Sequence, residues 1–323
     1  MATTHRFPLW RYPAWLPARV REHFPQLNVV HLDTYEGIDQ EIVDAEIFVG
    51  FFLKPESFAL ARELRYIHVT AAGVDQLCYP ALVSSPVIVT NASSVMAVPV
   101  AEHSMGLILA LAKRFPSAMR YQQQSFWAQT EVALEQPTVQ ELKGATLGLV
   151  GLGSISQELV TRARAFGMRI VAVKRDITTG HEWADRVLPP TALHEMLAEA
   201  DYVVVAAPQT AATRGLMGAP EFAAMKSTAY FINVARGGLV DQTALFDALT
   251  AKRIAGAACD VFDPEPLAAE SPLWKAPNML ITPHLAATTS KLWSNHADLL
   301  EDNISRYLDG RPLRNVVDKQ SGY

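Results

Sequence analysis

The sequence predicts an α/β protein built as two doubly wound parallel-sheet lobes. Apolar strand candidates alternate with helix-like stretches in two separate series, and a long polar excursion divides them. The first series has strand candidates at 27–32, 47–52, 66–70 and 87–90. The second starts at 145–150 and continues at 168–174, 201–207, 228–235, 256–262 and 278–282. Short continuous apolar runs of this kind suit strands covered on both faces, as parallel sheets require.

Taken in order, residues 98–114 form an apolar helix candidate, and 120–141 is polar and Gln-rich but carries Phe126 and Trp127. So long an excursion reads either as a solvated loop or as an arm whose aromatics anchor a dimer. Within 145–174 the order is strand, glycine turn, helix and second strand, with Ile155, Leu159, Val160, Ala163 and Phe166 recurring at helical spacing. Thr191 and Asp241 are expected to cap the helices that follow them, because their side-chain oxygens accept from free first-turn amides.

Composition narrows the class. At 323 residues the chain has room for about two domains, each with a sizeable core. Half of it is hydrophobic, the net charge is only -5 and no basic stripe stands out, so no nucleic-acid partner is expected. Cys78 and Cys259 lie far apart in apolar surroundings and read as buried thiols, which suits a reducing cytoplasm. Prolines and arginines interrupt the N-terminal apolar residues, and no uninterrupted apolar span reaches membrane length; neither secretion nor membrane insertion is expected.

Gly151 and Gly153 predict an anion site. They let the backbone turn tightly after the strand and approach a phosphate, while the next helix, starting at Ser154 and Ile155, offers free N–H groups and the positive end of its dipole. This is the dinucleotide fingerprint of a Rossmann unit, except that Ser156 stands in place of the third glycine; its small size reads as a tolerated departure.

Three further segments each follow a predicted strand: NVARGG with Arg236, DVFDPEPL with Asp260 and Glu265, and TPHLAA with His284. Ligands of open α/β sheets gather beyond the carboxyl ends of the strands, so these side chains are expected to converge. Singly, each has an ordinary role available, as a cap, a loop charge or a core histidine. Together they supply what reduction of a 2-keto acid needs. An arginine fork takes the acid, a histidine exchanges a proton near neutral pH, a glutamate stabilises the imidazolium and a nicotinamide delivers hydride. No His/Cys/carboxylate spacing suggests a metal site, which leaves a metal hydrolase a poorer reading.

With these segments in order, and with VTAAGVD at 69–75, VAEH at 100–103 and the closing NVVDKQSGY, the sequence resembles the D-isomer-specific 2-hydroxyacid dehydrogenase family, particularly its glyoxylate and hydroxypyruvate reductase branch. The resemblance covers nearly the whole chain. It implies a Rossmann nucleotide-binding domain at 99–288 with a dimerisation arm near 115–142, a flavodoxin-like substrate domain from 1–98 and 289–323, and a homodimer. It implies Arg236 as the substrate and carbonyl-polarising residue, His284 as general acid/base, Glu265 as its partner, and backbone amides around Ala72 and Gly73 for the substrate carboxylate. For the cofactor it implies Ser154 and Ile155 at the pyrophosphate, Val234, Ala235, Arg236 and His284 at the nicotinamide, Asp260 at its carboxamide, and Pro208 and Thr213 at the border.

Departures from the family pattern are informative. Lys174 and Arg175 end the second strand where an acidic residue normally meets the adenine ribose, so NADP is expected over NAD, with Asp176 beside them working against that choice. Ala287 replaces a common glycine, Ser93 and Ser94 occupy a region often containing glycine, and Phe51 and Phe52 end a strand of the substrate lobe, where they either wall the pocket or pack ordinarily. Glu265 disfavours the formate dehydrogenase branch, in which glutamine stands there. A short phosphoglycerate dehydrogenase and a cofactor-sensing, corepressor-like binding protein on the same fold are the alternatives.

Overall fold

The computed structural model describes residues 12–322; readings made on residues 1–11 and on Tyr323 of the closing motif lie outside it. The chain forms two compact units, one being Ala97–Ala287 and the other the described residues on either side of it.

In the flanking unit, β1 (Ile47–Gly50), β2 (Tyr66–Val69) and β3 (Ile88–Thr90) form a parallel sheet in that order. The two-residue alternation of strands sends Phe48, Ile67 and Val69 into one apolar cluster and Val49 into another, shared with Ala297, Leu300 and Ile304 of helix Leu292–Leu308. Both faces are therefore covered, as the unbroken apolar runs predict. The expected strand at 27–32 is not formed: only Leu32 makes a bridge, and the rest of the run is irregular and half-exposed or exposed.

In the Ala97–Ala287 unit, seven parallel strands are ordered β10-β9-β8-β7-β4-β5-β6. They are β4 (Thr146–Val150), β5 (Arg169–Val173), β6 (Arg186–Leu188), β7 (Tyr202–Val205), β8 (Tyr230–Asn233), β9 (Gly256–Cys259) and β10 (Met279–Ile281). The chain runs outward from β4 to β6 and returns to β4's other side at β7, which makes the β4/β7 seam the switch point of the sheet. One core joins Val150, Val171, Val203 and Phe231 with Met196, Leu197, Leu245 and Leu249 from the helices above. Helix Ser154–Ala165 buries Leu159, Val160 and Ala163 and packs on β5, while Phe166, expected on that apolar face, is 42% exposed.

Several elements differ from expectation. Asp241 does cap its helix, accepting from Thr243 and Ala244 amides, but Thr191 lies inside the single turn Pro190–Ala192, and the helix begins only at Leu193. The excursion folds into helices Phe115–Gln123 and Gln129–Leu134. Helix Ser93–Ala112 begins five residues before its predicted start and runs through Pro99. By length and composition alone its 20 residues, at mean hydropathy 1.7, could cross a bilayer, but Glu102 and His103 interrupt the apolar run and 61% of it is buried within the protein, as in a core helix. Cys259 is buried as expected, whereas Cys78 is only half-buried.

Candidate active site

Six of the seven strands of the larger sheet are followed at their carboxyl ends by the loops and helix starts that carry the predicted site residues of this unit. After β4, Gly151 has φ 98, and a Cβ there would lie 3.0 Å from the Ala207 backbone, so only glycine fits. Gly153 caps helix Ser154–Ala165, and a Cβ added to it would meet nothing within 4 Å, which leaves the backbone open to an approaching phosphate. Ser156 is fully buried and donates its hydroxyl to the Gly151 carbonyl at 2.7 Å. The departure from glycine is thus turned into a bond that fixes the turn. This geometry fits a dinucleotide, with Ser154 and Ile155 at the helix start.

After β5, the Lys174 ammonium donates to Thr179 Oγ1 at 2.6 Å. Asp176 is turned into its own loop, accepting from the Thr178 hydroxyl at 2.6 Å and the Thr178 amide at 3.0 Å. Those bonds, with the Lys174 charge, hold the Asp176 carboxyl below its ordinary range. After β7, Thr213 ties the loop together by donating to the Pro208 carbonyl at 2.7 Å while accepting the Thr210 amide at 2.8 Å.

The turn after β8 is built by Asn233, which is 1% exposed. Its Oδ1 accepts the Ala235 amide and its Nδ2 donates to the Arg236 carbonyl, fixing Val234–Ala235–Arg236. The Arg236 guanidinium donates to the Ala235 carbonyl at 2.8 Å. A side chain at Gly237 would overlap the Phe262 backbone, so the turns after β8 and β9 touch main chain to main chain.

Glu265 accepts the Phe262 amide at 2.9 Å through Oε1 and lies 2.7 Å from His284 Nδ1 through Oε2. Burial works to raise its pKa, but the His284 bond, the Phe262 amide and the Arg236 charge prevail and hold it below the ordinary glutamate value. An ionised carboxylate only accepts, so His284 Nδ1 carries the hydrogen and Nε2 is left to exchange a proton. The ring is 44% exposed, and the residue's φ of 55 is a left-handed conformation costing a non-glycine about 1–3 kcal/mol.

Asp260, which the resemblance assigns to the carboxamide, is 1% exposed and engages both oxygens within the protein. Oδ1 accepts from the Thr282 hydroxyl at 2.5 Å and the Leu285 amide at 2.8 Å, and Oδ2 from the Ala286 amide at 2.9 Å. Hydrogen bonds thus join Glu265, His284 and Asp260, and the Arg236 charge acts on Glu265. Ala72 and Gly73 belong to the other unit, on the loop after β2, where the Asn91 amide donates to the Ala72 carbonyl at 2.8 Å. Phe51 and Phe52 also lie there, their amides donating to the Tyr35 hydroxyl. The sequence reading gave no role to Asn233, Thr282 or His103; only Asn233, a turn-forming residue at a strand end, left a local signal.

A parallel seven-stranded sheet with a glycine turn after β4 and an imidazole–carboxylate hydrogen bond at its carboxyl edge defines a nucleotide-binding class of fold. The model of the D-isomer specific 2-hydroxyacid dehydrogenase NAD binding domain matches residues 105–286, and the chain belongs to that family. A glyoxylate reductase of Korarchaeum cryptofilum is 31% identical over 319 residues, covering 94% of this chain and 92% of that protein. A D-3-phosphoglycerate dehydrogenase of Methanocaldococcus jannaschii is 32% identical over 93% of this chain, which spans only 56% of that protein. Among solved structures, a family member from Xanthobacter autotrophicus Py2, in complex with NADPH and MES, superposes with TM-score 0.81 at 30% identity, over 95% of this chain and 96% of that one.

Proposed function

We propose that this chain catalyses NAD(P)H-linked reduction of a small 2-keto acid, glyoxylate or hydroxypyruvate, to the D-2-hydroxy acid. The His284–Glu265 pair, with the Arg236 charge acting on the same carboxylate, is the observation that carries this reading. When bound, the cofactor supplies a hydride for the carbonyl carbon. The carbonyl oxygen takes its proton from His284 Nε2, while Nδ1 keeps its hydrogen, donated to Glu265, whose charge stabilises the imidazolium before the transfer. Arg236 polarises the carbonyl and offsets charge forming on its oxygen. The smaller unit serves the substrate, its amides at Ala72 and Gly73 taking the carboxylate. The larger serves the cofactor through Gly151, Gly153, Ser154 and Ile155, with Pro208, Thr213, Val234, Ala235 and Asp260 completing the lining.

NADPH is the preferred cofactor in this reading. Lys174 and Arg175 stand at the end of β5, and Asp176, which opposes them, is occupied by its own turn. Charge-assisted bonds to the 2′-phosphate contribute about 1.5–3 kcal/mol each, roughly tenfold to a hundredfold in affinity. The kcat/KM ratio of NADPH to NADH is expected to fall about that much per contact in Lys174→Asp/Arg175→Ala, and an unchanged ratio rejects the assignment.

The chain acts as a homodimer in the reducing cytoplasm. Exposed Phe115, Met119, Phe126, Trp127 and Leu134 of the excursion support such an interface. Light scattering should find monomers in Trp127→Ser.

The similarity to phosphoglycerate dehydrogenases favours one competing reading, oxidation of 3-phosphoglycerate. Initial rates with glyoxylate, hydroxypyruvate, pyruvate and the keto acid of 3-phosphoglycerate, each with both nicotinamides, separate the two. Preference for the phosphorylated acid supports the competitor, and no turnover of any keto acid defeats the proposal.

A further inference from the structure

We propose that His103 is a positioning residue that holds His284 in working geometry through Thr282 and Asp260. The proposal rests on the reading of His284 as proton donor. His103 projects from helix Ser93–Ala112, with Nε2 3.0 Å from Thr282 Oγ1 and 3.5 Å from Asp260 Oδ1. A threonine hydroxyl has one hydrogen, and Thr282 directs it at Asp260 Oδ1, 2.5 Å away. It therefore meets the imidazole with a lone pair, and His103 presents Nε2–H.

That hydrogen bond closes a chain of constraints around His284. Asp260 takes the Thr282 hydroxyl on one side of it in sequence and the Leu285 and Ala286 amides on the other, and the Asp260 carbonyl accepts the His284 amide itself at 2.8 Å. His284 is held at φ 55, a conformation that a side-chain-bearing residue keeps only where its surroundings over-determine it. Without the His103 donor, Thr282 Oγ1 loses one of its two partners and Asp260 Oδ1 the nearby N–H, and the segment just before His284 is held less firmly. The ring then drifts from Glu265, and a misplacement of about 1 Å costs up to roughly a hundredfold in rate.

The test uses the full chain with NADPH and glyoxylate, and imidazole proton–nitrogen spectra of the chain alone. His103→Leu should lower kcat about tenfold or more with both KM values within about threefold, and should shift or broaden the His284 Nδ1–H signal. His103→Gln, whose side-chain amide offers an N–H at similar reach, should recover most of both. Thr282→Val, which breaks the same link without touching His103, should repeat the leucine result. Wild-type kcat and an unmoved signal in His103→Leu or Thr282→Val would overturn the proposal, as would a loss that glutamine fails to recover. His284→Ala separates the two claims: if it stays active the proton-donor reading falls with the proposal, and if it is dead beside a fully active His103→Leu the positioning role alone is wrong.

Discussion

His284 stands beyond β10 with its ring 44% exposed and a carboxylate 2.7 Å from Nδ1, whereas His68, on β2 of the smaller unit, is fully buried, its Nδ1 facing the hydroxyls of Thr90 and Tyr66. His296, from helix Leu292–Leu308, is 2% exposed, and neither of its ring nitrogens has a hydrogen-bond partner among the described residues. Burial, reinforced by the neighbouring His296, pushes His68 down to about 3, and burial takes His296 to about 4. The same side chain is an exposed, carboxylate-bound candidate for proton transfer in one unit and a neutral packing element in the other. Setting decides which: a charged acceptor with access to water, or a dry pocket without a counter-charge.

The contrast breaks most severely at His284→Ala. Removing a general acid costs about 10²–10⁴ in rate, so kcat should fall by that much while NADPH affinity, read by fluorescence titration, stays within about threefold. Near-normal turnover would reject its role.

Glu265→Gln tests the partner, with a smaller loss of about tenfold to a hundredfold. A neutral amide cannot offset positive charge on the ring, so the loss should fall on kcat with both KM values little changed. Glu265 is itself held below the ordinary value of 4.5, so the stability it lends is present above that pH and is lost as pH falls through the depressed value. An unchanged kcat in Glu265→Gln would separate the two residues.

The smallest effect on turnover belongs to the buried pair, which acts on stability. The unfolded chain takes up protons on His68 and His296 below about 6.5 while the folded protein refuses them down to about 3 and about 4. Stability should therefore decline as pH drops through that window, by on the order of 1 kcal/mol per pH unit for each histidine. His296→Leu should flatten the fall of the thermal midpoint between pH 6.5 and 4 by roughly half. An unchanged slope would place the acid sensitivity elsewhere.

Legibility in the sequence followed burial. Strands such as β4, β7 and β8 lie wholly inside, and their unbroken apolar runs announced them. β6, a three-residue edge strand of intermediate exposure, offered no such run and was missed. Residues 27–32 have the apolar content of a strand but no ladder partner beyond Leu32, so composition there misled. Thr191 was displaced as a cap because Pro189 and Pro190 start a tighter turn before the helix. At the site, the chemically distinctive side chains Arg236, Glu265 and His284 stood out by type and by their place after strands. The wiring beneath them did not, because His103 and Thr282 are 179 residues apart and threonine carries no signal of its own.

The contact at Gly237, where added bulk would overlap the Phe262 backbone, has a practical corollary for laboratory evolution of this scaffold. Randomising that codon should yield almost entirely inactive clones, since any replacement wedges apart the arginine and glutamate segments.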